Sequence, residues 1–229
     1  MDGNKIIIGV CGDSFSAACT EELITVGRRA HFSQILEDRY GYTVYPFAHG
    51  AFSNTGILFQ MQEAFNRNVD VIVYNKSWSS RLEIRLNQFY PEQGLKNFVY
   101  FSKHHPSTYR LWAGDENSAI LSTVPQGIEK HTFLTKEHLD AVKYYFSYIF
   151  DYDLNKIRDE WLFEFWHNKI KQAGIHPICF NDEDIGKIAY DFSEANQTFD
   201  APFHTDRATQ EVIAENIHRN IVDNVVRKS

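Results

Sequence analysis

Hydrophobic and polar positions change their period along the chain in a regular order. After Lys5 comes Ile6-Ile7-Ile8-Gly9-Val10, a continuous apolar run rich in β-branched residues. Such a run predicts a parallel strand buried on both faces. A Gly12-Asp13-Ser14 turn follows. Over 21–40, Leu23, Val26, Phe32, Ile35, Leu36 and Tyr40 recur close to every 3.6 residues, which predicts a helix. Tyr42–Phe47 reads as a second strand ended by Gly50, and 54–67 as a helix with Ile57, Leu58, Met61, Ala64 and Phe65 on one face. Val69–Tyr74 is a third strand. Strands alternating with helices across short connections predict a three-layer α/β/α sandwich around a mainly parallel central sheet. Sheets of this kind carry their functional loops at the carboxyl ends of the strands. Three segments should therefore converge: Gly12–Ser16, His49–Thr55 and Asn75–Arg81.

The alternation then stops. Residues 81–135 hold Pro91, Pro106 and Pro125 with no clean period, and read as an aromatic-rich insertion of loops and short elements. Beyond it, 136–151 and 153–173 read as helices, the second carrying Ile157, Trp161, Phe165 and Trp166. The rings of Tyr144, Tyr145, Phe146, Tyr148 and Trp161–Trp166 are expected to pack as core. Ala173-Gly174 is a helix stop ahead of a strand at Ile175–Phe180. A last helix spans 206–226, with Val212, Ile213, Ile217, Ile221 and Val225 in phase. The chain thus reads as one α/β domain over 1–229, with its insertion at about 82–135.

Composition narrows the function classes. Hydrophobic residues make up 43% of the 229, enough for a sizeable core. A net charge of -7 argues against general nucleic-acid binding, which needs a basic stripe to neutralise phosphates. Cys11, Cys19 and Cys179 show no metal-like spacing, and their odd number suggests reduced thiols in a cytoplasmic setting. The apolar run near the N-terminus is strand-length and is followed by Asp13, so it reads as a strand and not as a leader peptide. No apolar run approaches bilayer length.

Two short segments could carry chemistry. Val10-Cys11-Gly12-Asp13-Ser14-Phe15-Ser16 places Ser14 on a tight turn at a strand end, where a nucleophile is exposed and its own N–H can help hold an oxyanion. The ordinary alternative is a strand-to-helix turn with a capping serine. Near the other end, Asp200-Ala201-Pro202-Phe203-His204 precedes the last helix. A serine hydrolase needs an imidazole to accept the serine proton and a carboxylate to fix its tautomer, and this segment supplies both. Taken alone it reads first as a surface loop, with Asp200 starting a turn and His204 solvated.

Together, these segments resemble the SGNH (GDSL) hydrolase family. The resemblance implies a flavodoxin-like sheet, hydrolysis of an ester or acyl group, no cofactor and no metal. It implies Ser14, His204 and Asp200 as catalytic residues, with the N–H groups of Ser14 and of Gly50, after the second strand, in the oxyanion hole. Two departures stand out. The family's Gly-x-Asn-Asp motif after the third strand is missing, which leaves Asn75, or Asn54 in the preceding loop, as the side-chain donor. Asp200 lies four residues before His204, where the family has three. Arg81 is a candidate for an anionic substrate group, or else a brace for the insertion. His104, His105, His131, His138, His167 and His176 show no ligand pattern. Neither Gly-x-Gly-x-x-Gly nor a Walker lysine occurs, so nucleotide binding is disfavoured. The expected substrate is a small-molecule or glycan-linked ester, with a homo-oligomer left open. The competing reading is a catalytically impaired binding or structural module of a viral or surface assembly.

Overall fold

The structure, a computed structural model, describes residues 5–13, 16–17, 31–48, 52–85, 108–110, 119–123, 136–179 and 207–226. The chain divides into two compact units: Met1–Gly50 with Ile57–Lys76 and Phe165–Ser229, and Ala51–Gly56 with Ser77–Glu164.

The first unit is built on four parallel strands, β1 (Ile7–Cys11), β2 (Thr43–Pro46), β3 (Val71–Tyr74) and β7 (His176–Cys179), in the order β2-β1-β3-β7. This is the flavodoxin-like order, with β1 flanked on both sides. Ile8 pairs with Val44 on one side and with Val71 on the other. Flanking strands leave β1 no free edge, and helices cover both of its faces, which is why its sequence is an unbroken apolar run.

The two faces are covered differently. Ile8, Val10, Val44, Val71, Val73 and Ile178 form one buried cluster with α1 (Phe32–Tyr40) and α5 (Arg207–Asn224). Phe32, Ile35 and Leu36 come from α1, and Ile213, Ala214, Ile217 and Ile221 from α5. On the other face, a Cβ at Gly9 would lie 2.9 Å from that of Ala64 in α2 (Asn54–Asn66). Glycine is needed there because the helix sits almost on the strand backbone. Phe65 of α2 meets Trp166 of α4 (Tyr152–Gln172) edge-on at 6.3 Å. With helices on both faces, this is the expected three-layer α/β/α arrangement.

Local chemistry sets the ends of these elements. The N–H of Phe32, at the start of α1, donates to Oε1 of the fully buried Gln210 of α5 at 2.8 Å. Gly41 ends α1 at φ 74° and donates to the carbonyl of Glu37. Gly174, at φ 83°, follows α4 as its Ala-Gly stop predicts. The expected helix over 21–40 is described only from Phe32 onward.

In the second unit, the stretch expected as loops and short elements holds a small antiparallel sheet. Short strands β4 (Leu82–Arg85), β5 (Thr108–Arg110) and β6 (Ala119–Thr123) form an antiparallel sheet in the order β4-β6-β5. Strands of three to five residues are too short to display a period of two. Helix α3 (Lys136–Tyr148) stops before the expected residue 151. Asp151 belongs to the next helix, where its Oδ1 accepts from the N–H of Leu154 at 2.9 Å as an N-cap.

The inward stripe of α4 is also not the expected one. Asp159, Phe163 and Ile170 are buried, whereas Trp161 is 70% exposed and Phe165 61%. Tyr144 and Tyr148 of α3 are exposed as well. Both faces of α4 carry large apolar residues, so periodicity could not choose between them. No helix among the described residues is long and apolar enough to cross a membrane.

Two outcomes are expected. Gly9→Val must push Ala64 away from β1 and should lower stability by about 1–3 kcal/mol, read as a lower urea midpoint at an unchanged slope. His218 of α5 stacks on Tyr40 at 3.8 Å and its Nδ1 lies 2.8 Å from the Tyr42 hydroxyl. Burial lowers its pKa, against a smaller raising effect of Glu215. Burial, with Tyr40, raises that of Tyr42, which stays neutral through the acid range. A histidine with a depressed folded pKa contributes fully above its unfolded value and loses that contribution as the pH falls through it. Thermal stability should therefore decline as the pH drops below about 6.5, and His218→Gln should flatten that part of the profile.

Candidate functional site

The polar centre of the first unit lies where β1 and β3 end. Both connections leave the sheet there, and the strand order β2-β1-β3 makes this edge the topological switch point, the usual ligand site of an open α/β sheet. Four polar side chains are buried at this place: Asp13, Ser16, Gln60 and Asn75. Burying so many polar groups at the end of an apolar sheet is tolerable only if they satisfy one another.

Asp13 and Ser16 do so around the amide of Asn75, whereas Gln60 accepts from backbone and keeps a buried Nε2 without a hydrogen-bond partner. The Nδ2 of Asn75 donates to Oδ1 of Asp13 at 3.0 Å and to the carbonyl of Lys76 at 3.2 Å. Its Oδ1 accepts from the hydroxyl of Ser16 at 2.5 Å and from the N–H of Asp13 at 3.3 Å. One side chain just past the end of β3 therefore fixes both ends of the segment that contains Ser14 in the sequence. Ser16 and Ala17 also donate their N–H groups to the carbonyl of Asp13, at 3.0 and 2.9 Å.

Gly12 makes this approach possible. It takes φ 149°, and any side chain there would overlap Asn75 and Ser16. Its N–H donates to Oε1 of Gln60, from α2, at 2.6 Å. Gln60 was not foreseen from the sequence. Its signal was weak: one glutamine among Ile57, Leu58, Met61 and Ala64 on an otherwise apolar helical face. Beside the loop, burial drives the Cys11 thiol far above its ordinary pKa, so it remains protonated. Cys11 and Cys179 are both buried and neither is in a disulfide.

In the second unit, Asn54 opens α2. Its Nδ2 donates to Oδ2 of the buried Asp159 at 2.7 Å and to the carbonyl of Ser77 at 3.0 Å, and its Oδ1 accepts from the N–H of Ser77 at 2.7 Å. Arg81 donates through Nη1 to the carbonyl of Phe52 at 2.8 Å, with its guanidinium 5.7 Å from the centroid of the Trp78 ring.

The predicted site residues thus fall into three groups. Asn75 is joined to the Gly12–Ser16 segment. Asn54 and Arg81 belong to the second unit. Ser14, Gly50, Asp200 and His204 lie outside the described residues. Among the described residues, no three histidine, cysteine or acidic side chains are grouped so as to hold a metal ion. Of the histidines, His167 Nδ1 lies 3.0 Å from the Tyr74 hydroxyl and His176 Nε2 lies 2.6 Å from Oδ1 of Asn220.

No protein-family model matches the chain, and no curated protein matches it. Solved structures similar to it include an acetyl xylan esterase, AlAXEase, at 10% identity, with a TM-score of 0.40, over 94% of this chain and 100% of that one. A member of the lipolytic protein G-D-S-L family from Veillonella parvula DSM 2008 is 10% identical, with a TM-score of 0.36, over 97% and 99%. The salicylyl-acyltransferase SsfX3 from a tetracycline biosynthetic pathway is 13% identical, with a TM-score of 0.39, over 97% of this chain and 56% of that one. At this distance the fold assignment rests on the strand order and on the helices covering both faces.

Asn75→Asp tests the network directly. The substitution removes the donor to Asp13 and places two carboxylates together, which favours protonation of one of them. The variant should be less stable than wild type by about 1–3 kcal/mol at neutral pH. Part of the deficit should be recovered near pH 4, measured by urea unfolding at both pH values.

Proposed function

We propose that this chain is a serine hydrolase acting on an ester or acyl group, with Ser14 as its nucleophile. The observation that carries the reading is the built support under the Gly12–Ser16 segment. Asn75 and Gln60 hold that segment from two different elements, at the carboxyl end of the central strand. A turn that only joins a strand to a helix has no need of four buried polar side chains. A nucleophile has such a need, because reacting atoms must be held within a fraction of an ångström of their working geometry.

In the proposed reaction, Nε2 of His204 takes the proton of Ser14 Oγ as that oxygen attacks the ester carbonyl. Asp200 keeps the imidazole in the required tautomer and stabilises the imidazolium that forms. The N–H groups of Ser14 and Gly50 hold the oxyanion. His204 then protonates the leaving alcohol, which departs as the acyl–oxygen bond breaks. Water, deprotonated by the same imidazole, releases the acid and restores Ser14. No cofactor enters this scheme. The substrate it suits is a small-molecule or glycan-linked ester.

One observation favours the second reading, a binding or structural module with impaired catalysis. Both Nδ2 hydrogens of Asn75 are committed to Asp13 and Lys76, and those of Asn54 to Asp159 and Ser77. Neither amide is spare for an oxyanion. Losing one such donor costs about a hundredfold to a thousandfold in kcat.

A fluorophosphonate probe separates the two readings. Wild-type protein should be labelled, and labelling should vanish in both Ser14→Ala and His204→Ala, each checked for intact folding by circular dichroism. A well-folded wild type that takes up no probe would establish the module instead.

A further inference from the structure

The second unit contains a small, open polar recess at the beginning of α2. We propose that it is a binding site for the oxyanion of a small molecule, a carboxylate or a phosphate group. The inference is independent of the hydrolase reading.

Charge is the first support. The lining holds the guanidinium groups of Arg81 and Arg158 together with the carboxylate of Asp159. Both oxygens of that carboxylate are occupied: Oδ2 by the Asn54 amide at 2.7 Å, and Oδ1 by Nε and Nη2 of Arg158 at 3.3 and 3.0 Å. Asp159 therefore anchors the recess and does not compete for its mouth. Nη1 of Arg158 is left over for a ligand, on a side chain that is 55% exposed. Guanidinium groups present paired donors whose spacing matches carboxylate and phosphate oxygens.

The backbone adds to this. Ser53 caps α2, its hydroxyl accepting from the N–H of Gly56 at 3.2 Å, and Thr55 lines the same recess. The first turn of α2 carries no acidic residue, so no side chain of the helix neutralises its positive end. Trp78, half exposed, also lines the recess, with the Arg81 guanidinium 5.7 Å from its ring centroid. Bonded to the Phe52 carbonyl, Arg81 is held in place before a ligand arrives. Ordering that side chain then costs binding little.

Isothermal titration calorimetry on the full chain tests the site. Sodium phosphate and sodium acetate are titrated separately, each against sodium chloride at equal ionic strength. The expected result is saturable heat with at least one of the two oxyanions and none with chloride. A response to phosphate alone identifies a tetrahedral oxyanion as the ligand group, and a response to acetate alone a carboxylate. Arg158→Gln, at a half-exposed position, should weaken binding at least tenfold while leaving the circular dichroism spectrum unchanged. Arg158→Lys keeps the charge without the paired donors and should weaken it to a lesser degree. Absence of saturable binding by either anion, or equal binding by wild type and both variants, would overturn the proposal.

Discussion

The polar end of the sheet depends on the amide group of Asn75. Parallel strands buried on both faces must release their chain at one edge, and there the backbone meets groups that cannot be apolar. In this protein the release is organised by a single side chain that donates twice and accepts twice. Three of these contacts lie in the interior, where each is stronger than it would be in water and costly to leave unmade. The segment after β1 is therefore determined by β3, its neighbour in the sheet, and not by its own propensities. Gly12 follows from the same constraint, since the amide occupies the volume a side chain would need.

Much of the first unit was legible because its signals are redundant. β1 is both apolar and β-branched, α2 has a clean stripe, and Gly174 marks a stop that geometry requires. Each feature agrees with its neighbours, so local reading and global fold coincide. The second unit was less legible for a physical reason. Its strands are too short to show alternation, and their pairing is a long-range property. On α4, the inward row of Asp159, Phe163 and Ile170 is less apolar than the outward row of Trp161 and Phe165. Any reading that assigns the greasier face to the interior would choose wrongly.

Legibility of the site was divided in another way. Residue type and position were enough to single out Asn75, but not to say what its amide does. Both of its hydrogens face acceptors supplied by the fold, and the identity of those acceptors is tertiary information. Gln60 was invisible because a buried glutamine on a helix looks like an ordinary interruption until its partner is known. That partner is a backbone N–H 48 positions earlier in the chain. Side chains that bind backbone leave no complementary residue type to recognise, whereas pairs of side chains do.

The mutual dependence of Gly12, Ser16, Gln60 and Asn75 also bears on how this protein can change over generations. Each contact is shared, so altering one member strands at least one other, and the effects of substitutions will not add. A substitution that is harmful on its own can become acceptable only after a compensating one elsewhere in the group. The accessible routes through sequence space therefore run through paired replacements, and these four positions are expected to vary together or hardly at all. A mutational scan that alters single residues would score them as uniformly intolerant and miss their alternatives. A library that varies them jointly would reveal which other combinations can close the same end of the sheet.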